Sequence, residues 1–228
     1  MSKVFCVVSE NDNIGKSYLA LSIASQCVAS KDSRLLIIEL ATGEKDIASY
    51  LDVDDEVIYD VCDVINGICD IDQSLIEIDE NIDYLPVSRV KSKIKDISKA
   101  KISNFIINMK REYDYILVEV NNLSYNYFID YSLFNKIMYM TDNNFSSVKH
   151  ILSSKAIFSE IDKSKIIYLF NKCEIEKSNY RNKLSVNDVN ILLHDYEIIY
   201  VSKLESILNF DYNKIKSENL FNEVLKKI

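Results

Sequence analysis

Gly15, Lys16 and Ser17 stand together between an apolar run, Val4-Phe5-Cys6-Val7-Val8, and a helical pattern from Tyr18 to Ala29. Strand, loop with Gly-Lys-Ser, then helix is the layout of a phosphate-binding loop. Backbone N–H groups at a helix N-terminus point at an anion, Lys16 can reach phosphate oxygens, and the Ser17 hydroxyl can bind Mg²⁺. The loop departs from that motif. The glycine that the motif places at position 10 is Glu10, and Asn11, Asp12, Asn13 and Ile14 follow it. Two carboxylates therefore enter a loop whose task is to hold an anion.

Two effects compete in such a loop. Each charge-assisted hydrogen bond from Gly15, Lys16 and Ser17 to a phosphate is worth roughly 1.5–3 kcal/mol. One carboxylate about 6 Å from a unit of phosphate charge costs roughly 3 kcal/mol at an effective dielectric near 20. The two nearly cancel. Weak or absent binding is the expectation, and tight binding requires Glu10 and Asp12 to point outward.

Little else in the chain looks catalytic. His150 and His194 are lone histidines and are read as structural or surface residues. Cys6, Cys27, Cys62, Cys69 and Cys173 are odd in number and lack C-x-x-C spacing, so they read as reduced thiols of a cytosolic protein rather than metal ligands. The net charge is −8, which disfavours binding to DNA, because a DNA binder needs a basic face. The one basic cluster, Arg89 to Lys101, reads as a solvated face. No apolar run reaches the roughly 18 residues of a membrane span, and no signal-peptide pattern opens the chain. A length of 228 residues is expected to form one domain with a full core.

The elements that must position these residues alternate. Strand candidates are Lys3–Val8, Arg34–Leu40, Ile82–Val87, Tyr115–Val120, Lys136–Thr141, Lys165–Phe170 and Glu197–Val201. Several are apolar on consecutive residues, as strands covered on both faces are. Long helical patterns fall at Gly15–Ala29, Ser98–Arg111, Ser146–Glu160 and Asn213–Lys227. Short helices are expected at Ile47–Leu51, Val57–Ile65 and Gln73–Ile76. Alternating strands and helices predict an α/β fold: a doubly wound, mostly parallel sheet of about seven strands with Lys3–Val8 central.

With these elements in order, the chain resembles the MinD/ParA family of deviant P-loop ATPases, nearly end to end and nearest to the MinD branch. Leu35-Leu36-Ile37-Ile38-Glu39 with Gly43 and Asp46 resembles the family's second strand and first switch. Val57-Ile58-Tyr59-Asp60-Val61 with Val64-Ile65-Asn66-Gly67 resembles the segment that follows. Tyr84-Leu85-Pro86-Val87-Ser88 is similar to a Leu-Pro-Ala-Ser type run. Tyr113 to Glu119 resembles the second-switch strand, and Phe145-Ser146-Ser147-Val148-Lys149 the start of a later helix. Phe170-Asn171-Lys172 falls where an Asn usually contacts adenine.

The resemblance implies a set of sites. Asn13, Ile14, Gly15, Lys16, Ser17, Tyr18, Asn171 and Lys172 would bind the nucleotide, and Ser17, Glu39 and Glu119 would hold Mg²⁺. ATP and Mg²⁺ are the implied cofactors if binding is retained. The departures are as informative. The family lysine that reaches across an ATP-bound dimer is Asn11. The paired glycines of its loop are Asp12 and Asn13. The first switch carries Glu39 and Ala41 where two aspartates are usual. Asp-x-Pro becomes Glu119-Val120-Asn121, and a later Pro-Glu/Asp step becomes Ser202-Lys203. Removing one preorganised donor typically costs about 10²–10³ in rate, so little or no hydrolysis is expected.

Two functional readings follow. The leading one is a non-catalytic or weakly catalytic positional or assembly factor that works through protein–protein contacts. Eroded loops of this kind occur in the TadZ/CpaE group of pilus and secretion localisation proteins, and this chain resembles their ATPase domain alone. The alternative is a working ATP-dependent dimerising switch. Under the leading reading any homodimer is independent of ATP, and the chain is cytoplasmic, meeting the membrane only weakly or through a partner. The segment Asn219–Ile228 reads as the last core helix, with a weak anchor as the other option. Tyr127 and Tyr131, in the run Tyr125–Tyr131, are either a partner surface or part of a buried helix.

Overall fold

The computed structural model describes residues 2–9, 11, 14–29, 32–41, 46–121, 128–154, 157–173, 182–202, 224 and 226–227; the side chains of residues 91, 95, 154, 172, 173 and 202 fall outside that description. Eight strands form one sheet: β1 (Lys3–Ser9), β2 (Leu35–Glu39), β3 (Ile76–Asp79), β4 (Ile82–Leu85), β5 (Tyr115–Asn121), β6 (Lys136–Thr141), β7 (Ile166–Cys173) and β8 (Glu197–Ser202), in the order β3-β4-β2-β5-β1-β6-β7-β8. β1 lies between β5 and β6 and is parallel to both. All pairings are parallel except β3 with β4. The helices are α1 (Lys16–Cys27), α2 (Ile47–Leu51), α3 (Val61–Ile65), α4 (Lys91–Lys95), α5 (Lys99–Met109), α6 (Phe145–Ser154) and α7 (Val186–Leu192).

The alternation of side chains along the central strands builds a core on each face of the sheet. Phe5 and Val7 of β1, Leu35 and Ile37 of β2, and Leu117 of β5 pack with Leu19, Ile23 and Ala24 of α1. Their neighbours Val4, Cys6, Val8, Leu36, Ile38 and Val118 face the other way, toward Ile102 and Ile106 of α5 and Val148 and Ile151 of α6. Strands covered on both faces must be apolar at every position, which is why β1, β2 and β5 are legible as continuous runs.

Three expectations are corrected. The sheet has eight strands because Ile76–Asp79, part of which was expected as helix over Gln73–Ile76, pairs antiparallel with β4. Ile76 and Ile78 alternate with Glu77 and Asp79, and that period of two wins over a helical turn. A 3₁₀ turn over Ile71–Gln73 precedes it. The helix expected from Val57 starts at Val61, because the Asp60 side chain caps it, accepting from the amides of Cys62 at 2.8 Å and Asp63 at 3.1 Å. The helix expected over Ser146–Glu160 ends at Ser154. The final helix lies outside the described residues, except that Val224 is helical and buried. Among the described residues no helix is long and apolar enough to cross a membrane.

Candidate functional site

The loop between β1 and α1 opens at the C-terminal edge of the central strands, where ligands of open α/β sheets bind. Gly15 is the residue before α1 and has φ +97°, a left-handed conformation that favours glycine. A Cβ there would lie 3.0 Å from Asn171 Nδ2. The first intrahelical bond runs from Leu19 N–H to the Gly15 carbonyl at 3.0 Å, so the amides ahead of it take no partner from within the helix. Among the described residues no side chain caps this end. A helix N-terminus of this kind favours an anion.

Lys16 and Ser17 begin the helix and are buried. The Ser17 hydroxyl donates to Glu119 Oε1 at 3.1 Å. Glu119, two residues before the end of β5, is in register with Glu39 at the end of β2, so two buried carboxyls sit side by side. Burial pushes the Glu119 carboxyl up, against the opposing pull of Lys16 and the Ser17 hydrogen bond. Glu39 is pushed well above the usual carboxylate range, first by burial and then by Glu119. The structure therefore brings Lys16, Ser17, Glu39 and Glu119 together.

Their roles within the cluster differ. Glu119 Oε2 is buried and accepts no hydrogen bond among the described residues. With Ser17 Oγ it offers hard oxygen donors beside a helix N-terminus, a set that fits Mg²⁺ completed by phosphate oxygens and water. Glu39 spends both oxygens inside the protein. Oε1 accepts from the Ile47 amide at 3.2 Å, and Oε2 accepts from the Tyr84 hydroxyl. It ties β2 to β4 and to the start of α2. Among the described residues no group of three or more His, Cys, Asp or Glu side chains is arranged to hold a metal, so a cation here would depend on the nucleotide for further ligands.

Asn11 donates from Nδ2 to Ser147 Oγ on α6 at 3.0 Å, and its carbonyl accepts from Ser9 Oγ at 2.7 Å. Asn171 is fully buried on β7 and donates to the Ile14 carbonyl at 2.7 Å. Ala41 is buried and offers no polar group. Tyr18 and Ile14 pack their side chains into the core beneath the loop. Asn13, and the side chain of Lys172, lie outside the described residues.

Tyr131 is corrected as a partner-surface residue. It is only 3% exposed and packs edge-on against Phe158, with ring centroids 5.2 Å apart. An aromatic ring driven into the core by its apolar area is not available to a partner. Tyr127 lies outside the described residues. Sequence reasoning missed Ser147 and Tyr84 as site residues, and no local signal marks either.

Comparison with known proteins places the fold. No family model matches the chain. A curated relative named for the septum site-determining protein MinD, from Emiliania huxleyi, is 22% identical over 121 residues, covering 52% of this chain and 44% of that protein's own length. The chain thus spans less than half of the curated relative it matches. The MinC:MinD cell division complex of Aquifex aeolicus superposes with a TM-score of 0.75 at 21% identity, over 99% of this chain and 90% of that one. A ParA family ATPase from Chlorobium tepidum gives 0.75 at 17%, over 98% and 96%. MinD complexed with Mg-ADP from Pyrococcus horikoshii gives 0.73 at 16%, over 100% and 94%. The chain therefore has the fold of the MinD and ParA ATPases, as the resemblance of its motifs implies.

Proposed function

We propose that this chain is a MinD/ParA-type protein with an eroded phosphate loop, acting as a positional or assembly factor through protein–protein contacts, with little or no ATP hydrolysis. The observation that carries this reading is Asn11. Where the family pattern has a lysine, this chain has a neutral amide, and that amide bonds Ser147 of its own chain. It brings no positive charge to a phosphate, in its own site or in a neighbour's. Ala41 and Glu39 add to this, one lacking a carboxylate and the other having both oxygens bonded within the fold. Phosphoryl transfer needs charge neutralised and a water placed, and these positions supply neither.

Solved neighbours suggest the setting. One is a MinD in complex with MinC, which supports a protein partner and a role in spatial organisation such as division, pilus or secretion placement, or partition. The acidic charge argues against DNA as the partner. In this reading the chain acts in the cytoplasm and reaches a membrane weakly or through its partner.

A second reading is favoured by one specific observation. Lys16, Ser17 and Glu119 lie together at the start of α1, with the Ser17–Glu119 hydrogen bond in place, which supports a Mg-nucleotide site. Bound there, Mg²⁺ would neutralise phosphate charge. Lys16 would bind phosphate oxygens, while Ser17 and Glu119 would hold the cation. Nucleotide then serves as a ligand of a switch rather than as fuel. Light scattering with and without ATP–Mg²⁺ separates the readings. The leading one expects the same mass in both conditions. A monomer that becomes a dimer only with ATP favours the switch.

A further inference from the structure

Two hydrogen bonds hold the phosphate loop at its two ends, and both anchors come from the second half of the chain. At the near end, Asn11 Nδ2 donates to Ser147 Oγ at 3.0 Å. At the far end, Asn171 Nδ2 donates to the Ile14 carbonyl at 2.7 Å. Each anchor sits on a braced element. Ser147 is buried on the first turn of α6. Next to that turn the Phe145 amide donates to the Asn182 carbonyl at 2.8 Å, and the Leu184 amide donates to the Asn143 carbonyl at 2.9 Å. Asn143 Nδ2 donates back to the Leu184 carbonyl at 3.0 Å. Asn171 is fully buried on β7, which is paired on both sides by β6 and β8.

We propose that Ser147 and Asn171 are positioning residues of the phosphate loop, forming a two-point clamp that shapes it within a single chain. A nucleoside di- or triphosphate would then meet Asn11 and Ile14 already held from within the chain. Paired glycines leave a loop many conformations to lose on binding. Here Asp12 and Asn13 stand in place of the paired glycines, and side-chain anchors hold Asn11 and Ile14 on either side of them. Gly15 belongs to the same device, because its missing Cβ leaves the space that Asn171 Nδ2 occupies. The ligand named here rests on the phosphate-loop reading above, whereas the clamp itself does not.

The test uses the full chain and its Ser147→Ala, Ser147→Thr and Asn171→Leu variants. Amide hydrogen exchange is read at Asn11, Ile14, Gly15 and Lys16, with Leu36 and Ile37 of β2 as internal controls. Mg-ADP affinity is measured by calorimetry on the same samples. Losing one hydrogen bond should speed exchange in the loop roughly fivefold to tenfold in Ser147→Ala and leave the β2 amides unchanged. Ser147→Thr, which keeps the hydroxyl, should restore protection, an outcome that a merely bulk packing role would not produce. If Asn171→Leu fails to fold, the Ser147 pair alone decides. Unchanged loop exchange in Ser147→Ala, or equal loosening in Ser147→Thr, overturns the clamp. With protection lost as expected, failure of the wild-type chain to bind Mg-ADP counts against the nucleotide reading alone.

Discussion

Replacing Gly15 with alanine tests the geometry of the loop against a built-in control. Gly15 has φ +97° and Gly67 has φ +70°. An L-residue in the left-handed region costs roughly 1–2 kcal/mol, so each Gly→Ala change carries that penalty. The surroundings differ. A Cβ at Gly15 would lie 3.0 Å from Asn171 Nδ2 and 3.7 Å from Met140 Cε, whereas a Cβ at Gly67 meets nothing within 4 Å. Asn171 is fully buried and cannot swing into solvent. Making room displaces its hydrogen bond to the Ile14 carbonyl, and leaving a buried donor or acceptor unpaired costs about 1–3 kcal/mol. Gly15→Ala should therefore destabilise the fold by about 2–5 kcal/mol and Gly67→Ala by about 1–2 kcal/mol. Urea unfolding of both variants beside the wild type measures the difference directly, with the slope checked for constancy. Equal losses in the two variants, or a neutral Gly15→Ala, would refute the argument that Asn171 and Gly15 share one space.

Tyr131→Ala removes a buried ring from the core and should cost about 3–5 kcal/mol by urea unfolding; a change within about 0.5 kcal/mol would return Tyr131 to the surface. Glu39 has a folded-state carboxyl pushed above its ordinary value of 4.5, so the folded chain holds a proton that the unfolded chain has released. Stability should fall as pH rises from about 4.5 toward neutrality, and Glu39→Gln should flatten that slope in chemical denaturation at pH 5, 6 and 7. An unchanged slope would remove Glu39 as its source. Burial pushes the Cys62 thiol up to about 12, so at pH 8 its thiolate is roughly a thousandfold scarcer than for a thiol at the ordinary value of 9.0. Iodoacetamide labelling read by mass spectrometry should mark Cys62 only after unfolding, and rapid labelling of the native chain would contradict its burial.

The fold was legible because its central strands are covered on both faces. Val4–Val8, Leu35–Ile38 and Ile116–Val118 are apolar at nearly every position, and few other elements read that way. β3 was not legible: four residues at a sheet edge, half of them acidic, leave too short a pattern to separate from a helical turn. Of the site, Ser17 and Glu119 were reachable through motif order, and the pairing of β1 with β5 sets the start of α1 beside Glu119. The bonds of Asn11 to Ser147 and of Tyr84 to Glu39 span 136 and 45 residues of sequence. They exist because the sheet order sets those positions side by side, and neither residue type is unusual where it stands. Tyr131 sits in a tyrosine-rich run whose composition suits either an interface or a core, and only its packing on Phe158 decides.

Steady-state ATP turnover is the most direct test of the central claim. The full chain is assayed with Mg²⁺, with and without lipid vesicles or DNA, beside Lys16→Ala. With Asn11 bonded to Ser147 and Ala41 in place of an acid, turnover should lie far below the roughly 1 s⁻¹ at the low end of ordinary enzymes, and Lys16→Ala should leave that residual rate unchanged. Turnover on the order of 1 s⁻¹ that Lys16→Ala abolishes would contradict the account and make the chain a working ATPase.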